Sequence, residues 1–137
     1  MKQILTLAFI ACLLPGFAQS SKDIRKHNVK SITETNYDYS SGFEESQIDT
    51  YQQFNKNGDI IELKEFKDGK LKTHEKYDYD VAGNKIKQIE YDDKGKIDKI
   101  VEYKYSGDLR TERIVYYPNG KVKNKKVYKY EYFTPSN

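Results

Sequence analysis

Beyond residue 57 a glycine falls roughly every twelve residues, at Gly58, Gly69, Gly83, Gly95, Gly107 and Gly120. A glycine inside a helix costs about 1 kcal/mol relative to alanine, so no ordinary helix runs through this pattern. The steps are 11, 14, 12, 12 and 13 residues, but every second step is steadier, at 25, 26, 24 and 25. A repeat of that length containing two turns is one hairpin plus its connection.

The turns carry hairpin chemistry. Asn57-Gly58, Asp68-Gly69 and Asn119-Gly120 are dipeptides that accept positive φ in tight hairpins, while Lys94-Gly95 and Ala82-Gly83 have a weaker first residue. Two places after most of these glycines stands an aliphatic: Ile60, Leu71, Ile97, Leu109 or Val122. Gly83 departs from this rule, with Ile86 three places on, which predicts an extra residue or bulge there. Four places before the glycines come Phe54, Tyr79, Tyr91, Tyr103 and Tyr116, and Phe66 stands three before Gly69. Aromatic and aliphatic positions flanking a turn are expected to meet across the hairpin.

Between turns the period is two. Ile97, Val101, Tyr103 and Tyr105 are expected on one face, as are Val122, Tyr128, Tyr130 and Tyr132. Upstream, residues 29–39 and 44–54 read as two further strands around the Ser40-Ser41-Gly42 turn. The fold class predicted is all-β: an antiparallel meander of about seven or eight strands, either an open twisted sheet or a half-barrel. It should occupy residues 29–133 as a single domain, with a short tail at 134–137 and a flexible polar lead-in at 19–28. Asp23-Ile24-Arg25-Lys26 is the one place in the lead-in where a helical turn is expected.

Residues 1–18 read as a secretory signal peptide. Lys2 supplies the positive end, Ile4 to Leu14 the apolar run, and Gly16-Phe17-Ala18 a small-residue cleavage site. The run is shorter than the roughly 20 residues of a spanning helix. The lone cysteine, Cys12, lies within the run without the context of a lipoprotein acylation site, so the mature chain is expected to carry no thiol. Export to the periplasm or the extracellular space follows, with no transmembrane segment left after cleavage.

Composition sharpens the fold more than the function. Removing 18 of 137 residues leaves 119, one domain by length, and all 13 tyrosines lie in that part. Tyrosine buries a large ring while its hydroxyl stays hydrated, so a tyrosine-rich sheet is compatible with scarce Leu, Ile and Val. Charge is balanced overall but unevenly spread. Asp38 to Asp68 holds eight acids against three lysines, and Arg110 to Lys129 seven bases against Glu112. Export argues against nucleic acid as the partner of the basic end. The oppositely charged ends are instead expected to form solvated strand faces, or to attract one another within or between copies.

The central stretch Tyr77-Asp78-Tyr79-Asp80-Val81-Ala82-Gly83-Asn84-Lys85-Ile86 resembles the YD repeat of RHS-type proteins, whose pattern runs Tyr-x-Tyr-Asp-x-x-Gly-(Arg/Asn)-Leu. Tyr91 to Ile97 resembles a second copy; Tyr51 to Ile60 and Tyr116 to Val122 resemble diverged ones, the last also resembling MORN-like and YwqK-type hairpins. In large RHS proteins such repeats coil into a shell around a toxic cargo, and some bind carbohydrate. This chain is too short to enclose anything. The resemblance therefore implies hairpin architecture and a secreted, surface-associated role, and it brings no catalytic residue.

Catalysis has little to stand on. His27 and His74 are the only histidines, the latter read as a solvated strand residue, and neither a nucleophile elbow nor a phosphate loop is present. The acids at Asp78, Asp80, Asp92 and Asp93 read as turn caps rather than acid–base pairs or calcium ligands. No enzyme, metal or cofactor is expected. Ligand binding by aromatic side chains is the stronger idea: Tyr77, Tyr79, Tyr103, Tyr105, Tyr128 and Tyr130 should form a ladder on one sheet face. Buried, the ladder is core; left open by a single-layer sheet, it is a patch for a glycan or an envelope or secreted protein. The alternatives are a self-assembling module that pairs through its sheet edges, and a small immunity- or antitoxin-like partner protein. The oligomeric state does not follow from the sequence.

Overall fold

A computed structural model describes residues 20–133; the expected signal peptide with Cys12 and the residues from 134 on lie outside it. A short helix, α1 (Ser21–Lys26), precedes eight strands: β1 (Ser31–Asp38), β2 (Glu45–Phe54), β3 (Ile60–Lys67), β4 (Lys70–Tyr79), β5 (Lys85–Tyr91), β6 (Ile97–Ser106), β7 (Leu109–Tyr116) and β8 (Val122–Val127). They form one antiparallel sheet in sequence order, β1 and β8 being its edges, so the meander is an open sheet and not a closed barrel.

Two turn types join the strands from β2 onward: two-residue turns at Asp68-Gly69 and Gly107-Asp108, and longer loops elsewhere. Asp68 and Gly69 both have positive φ (52° and 69°) and join β3 to β4 as a two-residue hairpin of the type that matches strand twist. The loops at Gly58, Gly83, Gly95 and Gly120 are longer, with three residues between the backbone-paired ends. In three of them an Asx side chain caps the turn. Asn55 Oδ1 accepts from the N–H groups of Asn57 and Asp59, Asp80 Oδ1 from Ala82 and Asn84, and Asp92 Oδ1 from Lys94 and Lys96, all at 2.8–3.0 Å. Asp80 and Asp92 are turn caps, as expected; Asp78 instead lies within β4, paired with Lys87, and Asp93 lies inside the loop that Asp92 caps. Asn57 and Asn119 do not take positive φ, so the Asn-Gly pairs are not two-residue hairpin turns: in each, only the glycine is left-handed.

From β2 onward every hairpin is bulged next to its loop, whereas the β1–β2 hairpin shifts register in mid-strand, between Glu34 and Thr35. Phe54 pairs with Ile60, Phe66 with Leu71, Tyr79 with Lys85, Tyr91 with Ile97, Tyr105 with Arg110 and Tyr116 with Val122, and a one-residue register shift adjoins each pair. The unpaired residue, Ile86 or Asp98 for example, adds local twist and reverses the in–out alternation beyond it. Two sequence expectations change in consequence. Ile97 pairs with Tyr91 and lies on the face opposite Val101 and Tyr103, and Val122 pairs with Tyr116 opposite the face of Asn124 and Val115. Gly83 is no exception among the loops: the bulge expected there recurs at all of them, and Lys85 holds the position an aliphatic holds elsewhere.

With a single layer, burial comes from sideways packing. One row, Tyr77–Gln88–Val101–Val115–Asn124, crosses β4 to β8, and its centre is the most buried part of the sheet, with Val101 at 1% exposure and Val115 at 3%. The lead-in is packed as well. Ser20 caps α1 through Asp23 N–H, Ile24 is buried, and Ile24, Val29 and Phe54 line a common hollow of about 510 Å³.

Candidate binding face

The repeat of about 25 residues places a Tyr-x-Tyr pair on every second strand: Tyr77 and Tyr79 on β4, Tyr103 and Tyr105 on β6, and Tyr128 and Tyr130 just past β8. Register puts Tyr77, Tyr79, Tyr103 and Tyr105 on the face of Val101. The chain beyond β8 continues along β7, with Tyr128 N–H donating to Thr111 O at 2.9 Å. The outer tyrosine of each pair reaches back to the start of the preceding odd-numbered strand. Tyr79 O–H donates to Ile60 O (2.8 Å), Tyr105 O–H to Lys85 O (2.9 Å) and Tyr130 O–H to Arg110 O (2.5 Å). These bonds tie repeat to repeat and leave the rings standing over the sheet.

The rings are neither fully buried nor fully open. Tyr77, Tyr79, Tyr103 and Tyr105 are half-buried, while Tyr128 and Tyr130 at the edge are 36% and 41% exposed. No second layer covers them among the described residues, since every strand belongs to the one sheet. Burial raises the Tyr79 hydroxyl to about 12, and burial together with a hydrogen bond to Glu75 raises Tyr77 further. Both rings stay neutral at any physiological pH.

Two cations lie among the rings. Lys85 Nζ sits 4.9 Å from the Tyr77 ring centre and 5.6 Å from that of Tyr103; the Arg110 guanidinium sits 4.5 Å from Tyr103 and 5.8 Å from Tyr105. Tyr103 is thus bracketed by two charges in cation–π range. Sequence reading missed both residues because it paired Leu109 and Ile86 with the aromatics. The signal was available: stepping back 25 residues from Arg110 gives Lys85, and another 25 gives Ile60. The same slot holds Ile60, then Lys85, then Arg110.

The opposite face carries ion pairs. Glu62 accepts from His74 Nε2 at 2.8 Å and lies 3.5 and 3.9 Å from Lys64 and Lys76; Glu112 bridges Lys104 (2.9 Å) and Lys125 (2.8 Å). His74 also stacks on Tyr91, with ring centres 4.5 Å apart, so it is a packed residue and not the solvated one expected. Burial would raise the Glu62 carboxyl, but the His74 hydrogen bond and the two lysines outweigh it and lower the pKa. Lys125 and Lys104 lower that of Glu112 in the same way. A carboxyl depressed by folding stabilises the fold fully above its unfolded value, here 4.5, and that stabilisation is lost as pH falls through the folded value. The urea midpoint should therefore hold from neutral pH to about 5 and drop steeply below 4. Glu62→Gln should lower the neutral midpoint and flatten that acid limb; an unchanged limb would mean that other carboxyls set it.

Among the described residues no cluster of three or more His, Cys, Asp or Glu side chains is placed to hold a metal ion, and no helix is long and apolar enough to cross a membrane. No family model, curated protein or solved structure matches the chain, so its surface chemistry carries the functional reading.

Proposed function

We propose that this chain is an exported, non-enzymatic YD/RHS-like β-repeat protein that acts by binding at the bacterial envelope, with the tyrosine face as its binding surface. The observation that carries this reading is a regular row of half-buried tyrosines on a sheet face that no second layer covers among the described residues. Such a face buries its rings fully only against something else. Glycan fits it better than a protein helix does: the surface is shallow, and rings fixed by back-bonded hydroxyls can stack on sugar rings without further ordering. The signal-like residues 1–18 support export, and the Tyr-Asp-x-x-Gly loops capped by Asp80 and its counterparts support the repeat assignment.

A polysaccharide array tests the reading, followed by titration of tyrosine fluorescence, which no tryptophan obscures. Tyr128→Ala and Tyr130→Ala remove the two most open rings of the row and should weaken a bound glycan several-fold; Tyr130→Ala also gives up the hydrogen bond to Arg110 O, at a cost of about 1 kcal/mol. Absence of any glycan ligand would sink the proposal.

Assembly through sheet edges is a second reading, favoured by one observation. The edge strand β8 is exposed along its whole length and carries Lys123, Lys125 and Lys126, while the other edge presents Glu34 and Asp38. Lysine on an edge normally resists pairing, so only a β8-to-β1 contact suits these charges. It would appear as association that weakens with salt.

A further inference from the structure

The repeat's cross-hairpin slot is apolar in four hairpins, as Ile60, Leu71, Ile97 and Val122, and cationic in two, as Lys85 and Arg110. The two cationic slots lie on the same face of the sheet. Between them stands Tyr103, in cation–π range of both. An aliphatic side chain would satisfy the packing there, as it does at Ile60.

Carboxylates elsewhere on the sheet are matched to cations: Glu62, Glu90 and Glu112 each pair with at least one lysine. Among the described residues, Lys85 and Arg110 have no carboxylate within ion-pair distance. Lys85 Nζ has only the amide oxygen of Gln88, at 3.2 Å; Arg110 Nε is buried without a hydrogen-bond partner, and the rest of the guanidinium meets only the neutral hydroxyls of Tyr105 and Tyr128. The nearby acids are engaged, Glu75 by the Tyr77 hydroxyl and Glu90 by Lys99 at 2.6 Å. A half-buried cation without a counter-ion is unfavourable unless something supplies one.

We propose that Lys85 and Arg110, with Tyr103 between them, form a carboxylate-reading site, and that the ligand of the tyrosine face is an acidic, uronate-type polysaccharide. The inference rests on the reading of that face as glycan-binding and names the class of glycan. The two cations project from β5 and β7, two strand spacings apart, about 10 Å. They are thus placed to take separate carboxylates along one chain, while tyrosine rings contact the sugar between them. Arg110 offers a planar fork that a carboxylate matches, and Lys85 a point charge. An acidic peptide offers the same charge, but its extended backbone seeks a sheet edge for hydrogen bonds, and this site lies at β5 and β7, inside the sheet.

The test compares polygalacturonate, its fully methyl-esterified form and polyglutamate as probes of the full chain. Polygalacturonate should bind at least about tenfold more tightly than the ester, with the difference shrinking as salt rises. Lys85→Ile and Arg110→Ile restore the apolar slot of the other hairpins. They should erase that preference while leaving the thermal midpoint unchanged or higher, a combination that a purely structural role for the cations would not give. Equal binding of acid and ester would overturn the carboxylate site yet leave the glycan-binding proposal standing. Binding of neither would end both. Polyglutamate bound as tightly as polygalacturonate would replace sugar by acidic protein. Self-association of the native chain that both variants abolish would assign the cations to a second copy, and a fall in midpoint on either substitution would assign them to the fold.

Discussion

Gly58→Ala should cost this protein about 3–4 kcal/mol, two to three times the cost of the same change at Gly83. The two glycines have almost the same backbone, with φ of 85° and 86°, and both stand at the left-handed position of a capped three-residue loop. An alanine in that region costs about 1–2 kcal/mol, which is the whole expected effect at Gly83, where a Cβ would meet nothing within 4 Å. At Gly58 a Cβ would stand 2.1 Å from the carbonyl oxygen of Ser21 and 3.3 Å from the N–H nitrogen of Arg25. These are backbone atoms of α1 and cannot rotate away. The helix must retreat by about an ångström or more to reach ordinary contact distance. Ile24 lies within that helix at 2% exposure, and its burial is worth about 1.5–3 kcal/mol. Urea unfolding of the two variants gives the comparison directly. Amide exchange supplies the local readout, because Val29 N–H donates to Ile24 O at 3.0 Å and should lose protection in Gly58→Ala alone. Equal losses at the two sites would show that α1 is not held by the loop.

That contrast marks where sequence reading reached its limit. The positions of the loops, the number of strands, their order and the aspartate caps were legible, because each depends on a few adjacent residues with special φ or a short acceptor side chain. The docking of α1 was not: nothing in Asn57-Gly58-Asp59 distinguishes it from a loop with open space above its glycine. The bulges were the larger loss. A single expected bulge at Gly83 became one in every hairpin, and each reverses the faces of the residues beyond it. Strict alternation from Val101 therefore misplaced Ile97, while Tyr103 and Tyr105 fell on the expected face because the next bulge lies on the partner strand. For the candidate site, the tyrosines were found by their periodicity and the cations between them were missed. A lysine next to an isoleucine reads as the solvated member of the pair, and only the bulge at Ile86 turns Lys85 towards the rings of Tyr77 and Tyr103.

Val101→Ala should destabilise the sheet by about 2–3 kcal/mol. Two methyl carbons leave a site that is 1% exposed, for a transfer loss of about 0.8 kcal/mol each, and the remainder comes from the cavity. In a two-layer protein the opposite layer could sink towards such a gap. Here Val101 is enclosed from the sides, by Gln88 and Val115 in the flanking strands and by Lys99 and Tyr103 along its own. The backbone ladder fixes the strand spacing, so the flanking residues cannot close in, and most of the cavity should persist. Among the described residues only Ile24, Phe54, Leu63, Ile114 and Val115 share its degree of apolar burial. Against a total stability of about 5–15 kcal/mol, the loss from this one valine is large. Val81→Ala, at a fully exposed loop position, should cost almost nothing and serves as the control. The urea midpoint of Val101→Ala, read beside the fluorescence of the tyrosines, then separates two accounts of the face. If the rings lie on a rigid sheet, the midpoint falls while the folded-state fluorescence is unchanged. If the rings are themselves what holds Val101 buried, both change together, and the binding surface and the core are the same set of side chains.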